Sequence, residues 1–285
     1  MFFKEWEVLI VDDEPDVLQV SQLAMRHFEV YGLPLRLHTA SSQAEALHIF
    51  HNAPALMPHI AVAFIDVVME TDTAGLALCQ ALREEHNNRV TQLFIRTGQP
   101  GVAPERTVLD RYDINGYFTK VEATEDKLYS LVKSGVRQFL WNVVALGSSL
   151  VLHNAIVAGD ARSRIIEAVQ QTFQGFHFIG GAPADSRAIQ GSVFLGDQII
   201  GMRGVEADAE RAQRQRLLAL GGKQLSPEGD LYVQEGNTLL MQVPLGPLPG
   251  GLALLAHTTF APPENIVILY HRVLRGVAAL LQRAR

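Results

Sequence analysis

The stretch "AVAFIDVVMETDTAGLALCQ", Ala61 to Gln80, decides the fold of the first half of the chain. Its opening residues are almost all apolar, and the run ends on one carboxylate, Asp66. A continuous apolar run of this length is typical of a strand that is buried on both faces of a parallel sheet. Whether the acid at its end has a role depends on the groups that lie at the same edge of the sheet.

The first 120 residues alternate strand and helix patterns. Apolar runs predict five strands, at residues 7–13, 33–40, 59–67, 91–98 and 114–120. Residues with helical spacing lie between them, and the first of these helices is predicted to stop at Gly32. Strands that alternate with helices form parallel sheets covered on both faces. We therefore predict an α/β fold with a doubly wound, five-stranded parallel sheet.

Polar side chains follow several of the predicted strands. Asp12 and Asp13 end the first, Asp66 the third, Thr97 the fourth and Lys120 the fifth. In such sheets ligands bind beyond the carboxyl ends of the strands. Three carboxylates repel one another unless a cation is present, and oxygen ligands suit Mg²⁺. A hydroxyl and an ammonium group beside them suit a tetrahedral anion, so the set predicts phosphoryl transfer to a carboxylate.

Four segments carry a family resemblance: "VLIVDDEPDV", "FIDVVMETDTAGLALCQALR", "FIRTG" and "NGYFTK". They resemble the CheY-like receiver domain of bacterial two-component response regulators, over roughly the first 125–140 residues. The resemblance implies that Asp66 accepts a phosphoryl group from a sensor histidine kinase. It also implies that Asp13, Asp66 and the Val68 carbonyl bind Mg²⁺ directly, and that Asp12 acts through water.

The same resemblance assigns the rest of the site. Thr97 and Lys120 would each contact a phosphoryl oxygen, Tyr117 would be the switch aromatic, and Gly98 the small residue beside the site. Val121 stands where the family usually has proline. Three alternatives stay open: a solvated acid pair without function, a receiver that is not phosphorylated, and Tyr117 as an ordinary strand aromatic.

A long helical pattern follows Lys120 and continues to about residue 157. It is longer than most globular helices, and its extended apolar stripe predicts a homodimer through this helix. The stretch 143–159 is short for a membrane span, so none is expected. His153 on this helix is either structural or a phosphorelay histidine. We assign residues 1–125 to the receiver domain, 126–159 to a connecting helix and 160–285 to a second domain.

The second half has an α+β pattern. Helical patterns lie near residues 162–173, 206–221 and 263–285, and Gly196-Asp197 and Gly236-Asn237 predict tight hairpin turns between strands. The pattern resembles the GAF/PAS class of sensor domains. Gly180-Gly181 follows an apolar run and is interpreted as a turn, not a phosphate loop.

Two segments narrow the family. "DVVMETDTAG" and "RTGQPGVAPER" resemble a subgroup in which the receiver precedes an uncharacterised GAF-like middle domain and, usually, a cyclic-di-GMP module. No phosphodiesterase or cyclase motif is found, so we expect no enzyme beyond autophosphatase activity. The expected function is a response regulator that signals through its C-terminal domain to a protein partner or a missing output module. The alternative is an adaptor whose second domain senses a small molecule.

Composition limits the remaining classes. The net charge is −6 and no helix-turn-helix is found, which argues against a nucleic-acid partner. The single cysteine, Cys79, excludes an intrachain disulfide and fits a reducing compartment. Cys79 lies on the apolar face of a predicted helix, so we expect it in the core. We predict a cytoplasmic protein.

Overall fold

A computed structural model describes residues 3–52, 60–98, 105–159, 161–174 and 190–284. The chain divides into two compact units between Val143 and Val144. The N-terminal unit is built on Lys4–Val143, and the C-terminal unit on the residues from Val144 onward. The predicted turn at Gly180-Gly181 lies outside the described residues.

A six-stranded sheet forms the centre of the N-terminal unit, in the order β2-β3-β1-β4-β5-β6. Five strands are parallel, and β2 is antiparallel to β3. The strands β1, β4 and β5 are buried along their whole length, as their apolar runs predict. The strands are β1 (Trp6–Val11), β2 (Glu29–Val30), β3 (Leu33–Ala40), β4 (Ile60–Ile65), β5 (Gln92–Thr97) and β6 (Gly116–Thr119).

Two predictions about this sheet are wrong. The first helix, α1, ends at Met25 and not at Gly32, and the sheet has a sixth strand. Both differences have one cause, a hairpin turn in which Tyr31 (φ 55°) and Gly32 (φ 73°) both have positive φ. The short strand β2 that this turn forms takes the place of further helix, and its last carbonyl, that of Val30, accepts a hydrogen bond of 2.8 Å from Trp6 Nε1.

Helices cover both faces of this sheet. The side chains of α2, α3 and α4 form one core cluster with it. On the other face, Gly135 of α5 approaches the sheet so closely that an added Cβ would lie 2.6 Å from Val62 Cγ2. The helices are α1 (Pro15–Met25), α2 (Gln43–Asn52), α3 (Ala74–Gln80) with a following π-helical turn (Ala81–Glu85), α4 (Glu105–Tyr112) and α5 (Glu125–Val157).

The C-terminal unit contains a second sheet, in the order β8-β7-β12-β11-β10-β9, and all its strand pairs are antiparallel. The two predicted hairpins are confirmed: Gly196 (φ 62°) and Gly236 (φ 58°) each begin a two-residue turn. The strands are β7 (Gln190–Leu195), β8 (Gln198–Arg203), β9 (Lys223–Gln224), β10 (Leu231–Glu235), β11 (Thr238–Leu245) and β12 (Leu248–His257).

Helices cover both faces of this sheet as well. They are α6 (Arg162–Gln174), α7 (Ala207–Leu220) and α8 (Glu264–Arg283). Leu239 and Met241 point into a core shared with α6 and α8, whereas Leu240, between them, points into a core shared with α7. This alternation is the two-residue period of a strand. The predicted α+β class of this unit agrees with a fully antiparallel sheet and separate helices.

The helix α5 has the length and apolar composition of a membrane span, and 28% of its most apolar window is buried. Part of it belongs to the core of the N-terminal unit: Leu128, Val132, Val136 and Phe139 are all buried. Core helices of globular proteins meet the same criterion, so this is weak evidence for a span. The absence of a span stays a prediction.

Candidate functional site

Three acidic side chains meet at the carboxyl edge of the parallel sheet. Asp12 follows β1 and Asp66 follows the neighbouring strand β4, whose pairing is continued by a bond of 2.9 Å from Asp66 N to Val11 O. Asp12, Asp13 and Asp66 each place one carboxylate oxygen within 4.8 Å of the others. Asp12 and Asp66 are buried, and Asp13 is exposed. The sheet therefore places the predicted acids in one cluster.

Lys120 lies inside this acidic cluster. It follows β6 directly, and its Nζ lies 2.8 Å from Asp66 Oδ2 and 3.1 Å from Asp12. A third carboxylate, Glu14, accepts a bond of 2.6 Å from the same ammonium group. The sequence predicted Lys120 at this edge but did not indicate Glu14 as its partner.

The buried charges change the protonation behaviour of the site. Burial raises the pKa of Asp66 above its usual range, and the hydrogen bond from Lys120 offsets part of that rise. Burial alone would lower the pKa of Lys120, but its bonds to Asp66, Glu14 and Asp12 together raise it. The bond from Lys120 lowers the pKa of Glu14. The ammonium group therefore stays charged at neutral pH, whereas burial disfavours the ionised form of Asp66.

The backbone after β4 holds the Asp66 carboxylate in place. Val67 N donates a bond of 2.8 Å to Asp66 Oδ1, and Gly75 N donates a bond of 3.1 Å to Val67 O. An added Cβ on Gly75 would lie 1.7 Å from the Asp66 carbonyl oxygen. In the loop between them, Glu70 accepts a bond of 2.9 Å from Gln43 N at the start of α2. The start of α3 therefore packs directly against the backbone of Asp66.

The other predicted site residues lie at or near the same edge. Thr97 is fully buried at the end of β5, and a Cβ added to the next residue, Gly98, would lie 3.6 Å from Lys120 Cδ. Tyr117 lies on β6, half-buried, and packs against the core cluster on the face covered by α2, α3 and α4. Val68 is half-buried in the loop after Asp66. The roles of these residues stay predictions.

A second residue of the site, besides Glu14, was missed by the sequence interpretation. Arg96, next to Thr97, is buried, and its guanidinium lies 3.0 Å from Asp12 Oδ2 and donates a bond of 2.6 Å to Ser21 Oγ. Its Nε has no hydrogen-bond partner among the described residues. The signal was present in "QLFIRT", where one charged residue interrupts an apolar strand.

The donor chemistry of the acidic cluster fits Mg²⁺. Carboxylate oxygens are the ligands that Mg²⁺ prefers, and a few carboxylates with several waters complete its shell. Among the acidic, histidine and cysteine side chains that the structure describes, one group of three has the spacing of metal ligands, and it consists of Asp12, Asp13 and Asp66. The residues present therefore suit a magnesium ion.

Two further predictions from the sequence concern Cys79 and His153. Cys79 is fully buried in the core beside α3, as expected, and burial raises the pKa of its thiol to about 12. His153 is exposed on α5. A phosphorelay role for His153 stays a prediction.

No protein-family model matches the chain. A curated relative, the 3'3'-cGAMP-specific phosphodiesterase 2 of Vibrio cholerae serotype O1, is 42% identical over 134 residues. These residues make up 47% of this chain and 25% of the relative, so the chain spans about a quarter of the relative's length.

Solved structures that match part of this chain include proteins described as receiver domains. A response regulator receiver domain from Clostridium thermocellum has 20% identity and a TM-score of 0.38, covering 46% of this chain and 94% of its own. A receiver domain of an HD domain-containing protein from Pseudomonas fluorescens Pf-5 has 16% identity and a TM-score of 0.39, covering 50% and 94%. A protein described as adenylate cyclase from Rhodopirellula baltica has 17% identity and a TM-score of 0.39, covering 47% and 90%.

The curated relative contradicts one expectation. We expected a protein that is not an enzyme, because no catalytic motif was found beyond the receiver-like residues. A chain that shares 42% identity over 134 residues is named a phosphodiesterase, which points to an enzymatic output. The expectation rested on motifs of this chain alone, and the matched residues make up 25% of the relative.

Proposed function

We propose that this chain is the regulatory part of a two-component response regulator, in which Asp66 accepts a phosphoryl group from a sensor histidine kinase. One observation supports this above the others. Asp66 lies at the carboxyl edge of the parallel sheet, 2.8 Å from the Lys120 ammonium, in one cluster with Asp12 and Asp13. A nucleophilic carboxylate with a cation beside it is what transfer of an anionic phosphoryl group requires.

In the proposed reaction, a carboxylate oxygen of Asp66 attacks the phosphorus of the phosphohistidine. The new oxygen–phosphorus bond forms as the phosphorus–nitrogen bond breaks, and the electron pair of that bond stays on the histidine nitrogen. The product is an acyl phosphate on Asp66. Lys120 and the Thr97 hydroxyl would each bond one phosphoryl oxygen and so offset the negative charge. Burial of Asp66 keeps its carboxylate in one orientation.

Mg²⁺ is the proposed cofactor. Asp13, Asp66 and the Val68 carbonyl would hold the ion, with Asp12 acting through a water molecule. When bound, the ion would neutralise charge between the carboxylate and the incoming phosphoryl group.

A small phosphodonor tests this proposal. Intact protein incubated with acetyl phosphate and Mg²⁺ should gain the mass of one phosphoryl group, and Asp66→Ala should abolish the gain. Asp72→Asn, a matched change at an exposed acid in the following loop, should leave it intact. The proposal is refuted if the wild type gains no phosphate that Asp66→Ala removes.

Phosphorylation would act on Thr97 and Tyr117 and change the surface formed by β6 and its flanking helices. We propose that this change reaches the C-terminal unit, a GAF-like domain, through α5, which begins at Glu125 and continues to Val157. Domain boundaries at residues 125 and 159 belong to this proposal. A Tyr117→Ala variant should accept phosphate but lose the response of the output.

The output itself is proposed from the curated relative. A phosphodiesterase acting on a cyclic dinucleotide, of the class named for the Vibrio cholerae relative, would be switched by Asp66. The test measures hydrolysis of 3′3′-cGAMP by the full-length protein that its gene encodes, with and without phosphodonor. Asp66→Ala should remove the difference between the two. Equal rates with and without phosphodonor in the wild type would refute this regulation.

We also propose a cytoplasmic homodimer that forms through α5. Several of its large apolar side chains are exposed, namely Trp141, Leu146, Leu150, Ile156 and Val157. Exposed apolar stripes of this kind are typical of helices that pair. Light scattering should give the mass of two chains, and Leu146→Glu combined with Leu150→Glu should give that of one. A wild-type monomer, with and without phosphodonor, would contradict the proposal.

A further inference from the structure

Arg96 reaches the acidic cluster from the opposite face of the sheet to Thr97. Successive residues of a strand point to opposite faces, so Arg96 lies on the face of Phe94, whose ring stacks 5.7 Å from that of Phe64. The strand β4 separates β5 from β1. To contact Asp12, the side chain of Arg96 must therefore extend across the end of β4, the strand that carries Asp66.

The Arg96 guanidinium is a fixed charge. Its side chain is 3% exposed, and Ser21 Oγ accepts a bond from one of its nitrogens while donating to Val17 O at 2.6 Å. The ammonium of Lys120 is on a flexible stem and is 18% exposed. The guanidinium group of Arg96 therefore brings a positive charge to the buried carboxylate of Asp12.

This arrangement gives the acidic cluster a second cation, in addition to Lys120, before any metal ion binds. Three carboxylates at one edge would otherwise repel one another. Lys120 is shared among Asp66, Asp12 and Glu14, whereas the buried guanidinium of Arg96 contacts Asp12. An ion that enters the cluster therefore meets a carboxylate whose charge is already partly neutralised.

We propose that Arg96 is a positioning residue that holds Asp12 and lowers the affinity of the acidic cluster for Mg²⁺, because it supplies part of the positive charge that the ion would bring. The inference deepens the proposed function, from which it takes the identity of the ion. It explains why a buried arginine interrupts the apolar strand β5. It also implies that the sheet edge keeps its structure when magnesium is absent.

Calorimetric titration of the full chain with MgCl₂ tests the proposal. Arg96→Met should bind Mg²⁺ with a Kd about three- to tenfold lower than the wild type, since a buried counter-charge is removed. Arg96→Lys keeps the charge and should stay close to the wild type. Asp13→Asn should abolish the binding heat, which assigns that heat to the acidic cluster. A Kd for Arg96→Met that is unchanged or higher would overturn the inference.

Thermal unfolding separates this role from a structural one. In EDTA, Arg96→Met should have a lower Tm than the wild type. Addition of Mg²⁺ should raise the Tm of Arg96→Met by more than it raises the Tm of the wild type. The matched control is Arg83→Met, because Arg83 is 5% exposed and bonds Asn88 O at 2.7 Å, away from the cluster. It should lose stability equally with and without Mg²⁺ and keep the wild-type Kd. If Arg96→Met does not fold, Arg96→Gln carries the same expectation.

The two proposals fail separately. A lower Kd in Arg96→Met, with no phosphate on Asp66 in any condition, would refute the proposed function and leave this inference standing. Phosphate on Asp66, with an unchanged Kd in Arg96→Met, would refute this inference alone.

Discussion

Gly75→Ala tests how tightly the start of α3 packs on Asp66, the proposed phosphoacceptor. An alanine within a helix is favoured over glycine by about 0.5–1 kcal/mol, so helix propensity alone predicts a more stable protein. The structure predicts the reverse. The new Cβ would lie 1.7 Å from the Asp66 carbonyl oxygen and 2.8 Å from the Asp66 carbonyl carbon, both backbone atoms.

The size of the effect follows from these distances. Real Cβ atoms essentially never approach another heavy atom within 3.0 Å, so helix and strand end must separate by more than an ångström. Overpacking of this kind typically costs 1–3 kcal/mol and more where backbone must move, so we expect a loss of about 3 kcal/mol. For a domain of this size that lowers the Tm by about 6–12 °C. Displacement of Asp66 should also slow phosphorylation.

Urea denaturation and the acetyl phosphate assay measure both effects. Gly98→Ala is the matched control, because its Cβ would make an ordinary contact, 3.6 Å from Lys120 Cδ. It should change stability little. Wild-type stability and wild-type phosphorylation of Gly75→Ala would show that the contact between α3 and the Asp66 backbone is wrong.

Three further predictions concern other parts of the chain. Burial raises the pKa of Asp66 in the folded state, so ionised Asp66 destabilises the fold; this destabilisation is absent at low pH and develops as the pH rises from the usual pKa to the raised pKa. Asp66→Asn should therefore raise the Tm in EDTA at neutral pH and should give no gain at a pH below that window. An equal Tm at neutral pH would contradict this. The thiol of Cys79 should not react with a thiol reagent at neutral pH until the protein unfolds, because burial raises its pKa to about 12; rapid labelling of the native protein would refute its core position. Arg214→Met should cost about 1–3 kcal/mol in the C-terminal unit, since the carbonyls of Gly196 and Gly250 lose their donor, and phosphate acceptance by Asp66 should stay unchanged; a loss of phosphate acceptance would contradict the independence of the two sites.

Much of the N-terminal unit could be predicted because its strands are continuous apolar runs. The parallel pairing of such runs brings their carboxyl ends to one edge, so Asp12, Asp66 and Lys120 could be placed together from strand ends alone. The C-terminal end of helix α1 could not be predicted correctly. Its apolar spacing continues through Val30, and the hairpin at Tyr31 depends on positive φ at a residue that rarely adopts it.

The partners of the predicted site residues were harder to predict than those residues themselves. The end of a strand gives the position of a side chain along the sheet, but it does not show how far that side chain extends across neighbouring strands. Arg96 contacts Asp12 across an intervening strand, and Glu14 bonds Lys120 from the start of α1. Both contacts join residues far apart in sequence, and no local pattern specifies them.

The distances in sequence across this site also bear on how the protein is made. Arg96 and Asp12 are separated by 84 residues, and Lys120 and Asp12 by 108. Contacts of such long range form late, because the entropy cost of closing a long loop precedes the stabilisation that the contacts provide. A chain that is still being synthesised has Asp66 before it has Lys120, and so has the acid without its cation. Under the proposed function, competence to accept a phosphoryl group should therefore appear only when the sheet is complete, which would keep an unfinished chain from signalling.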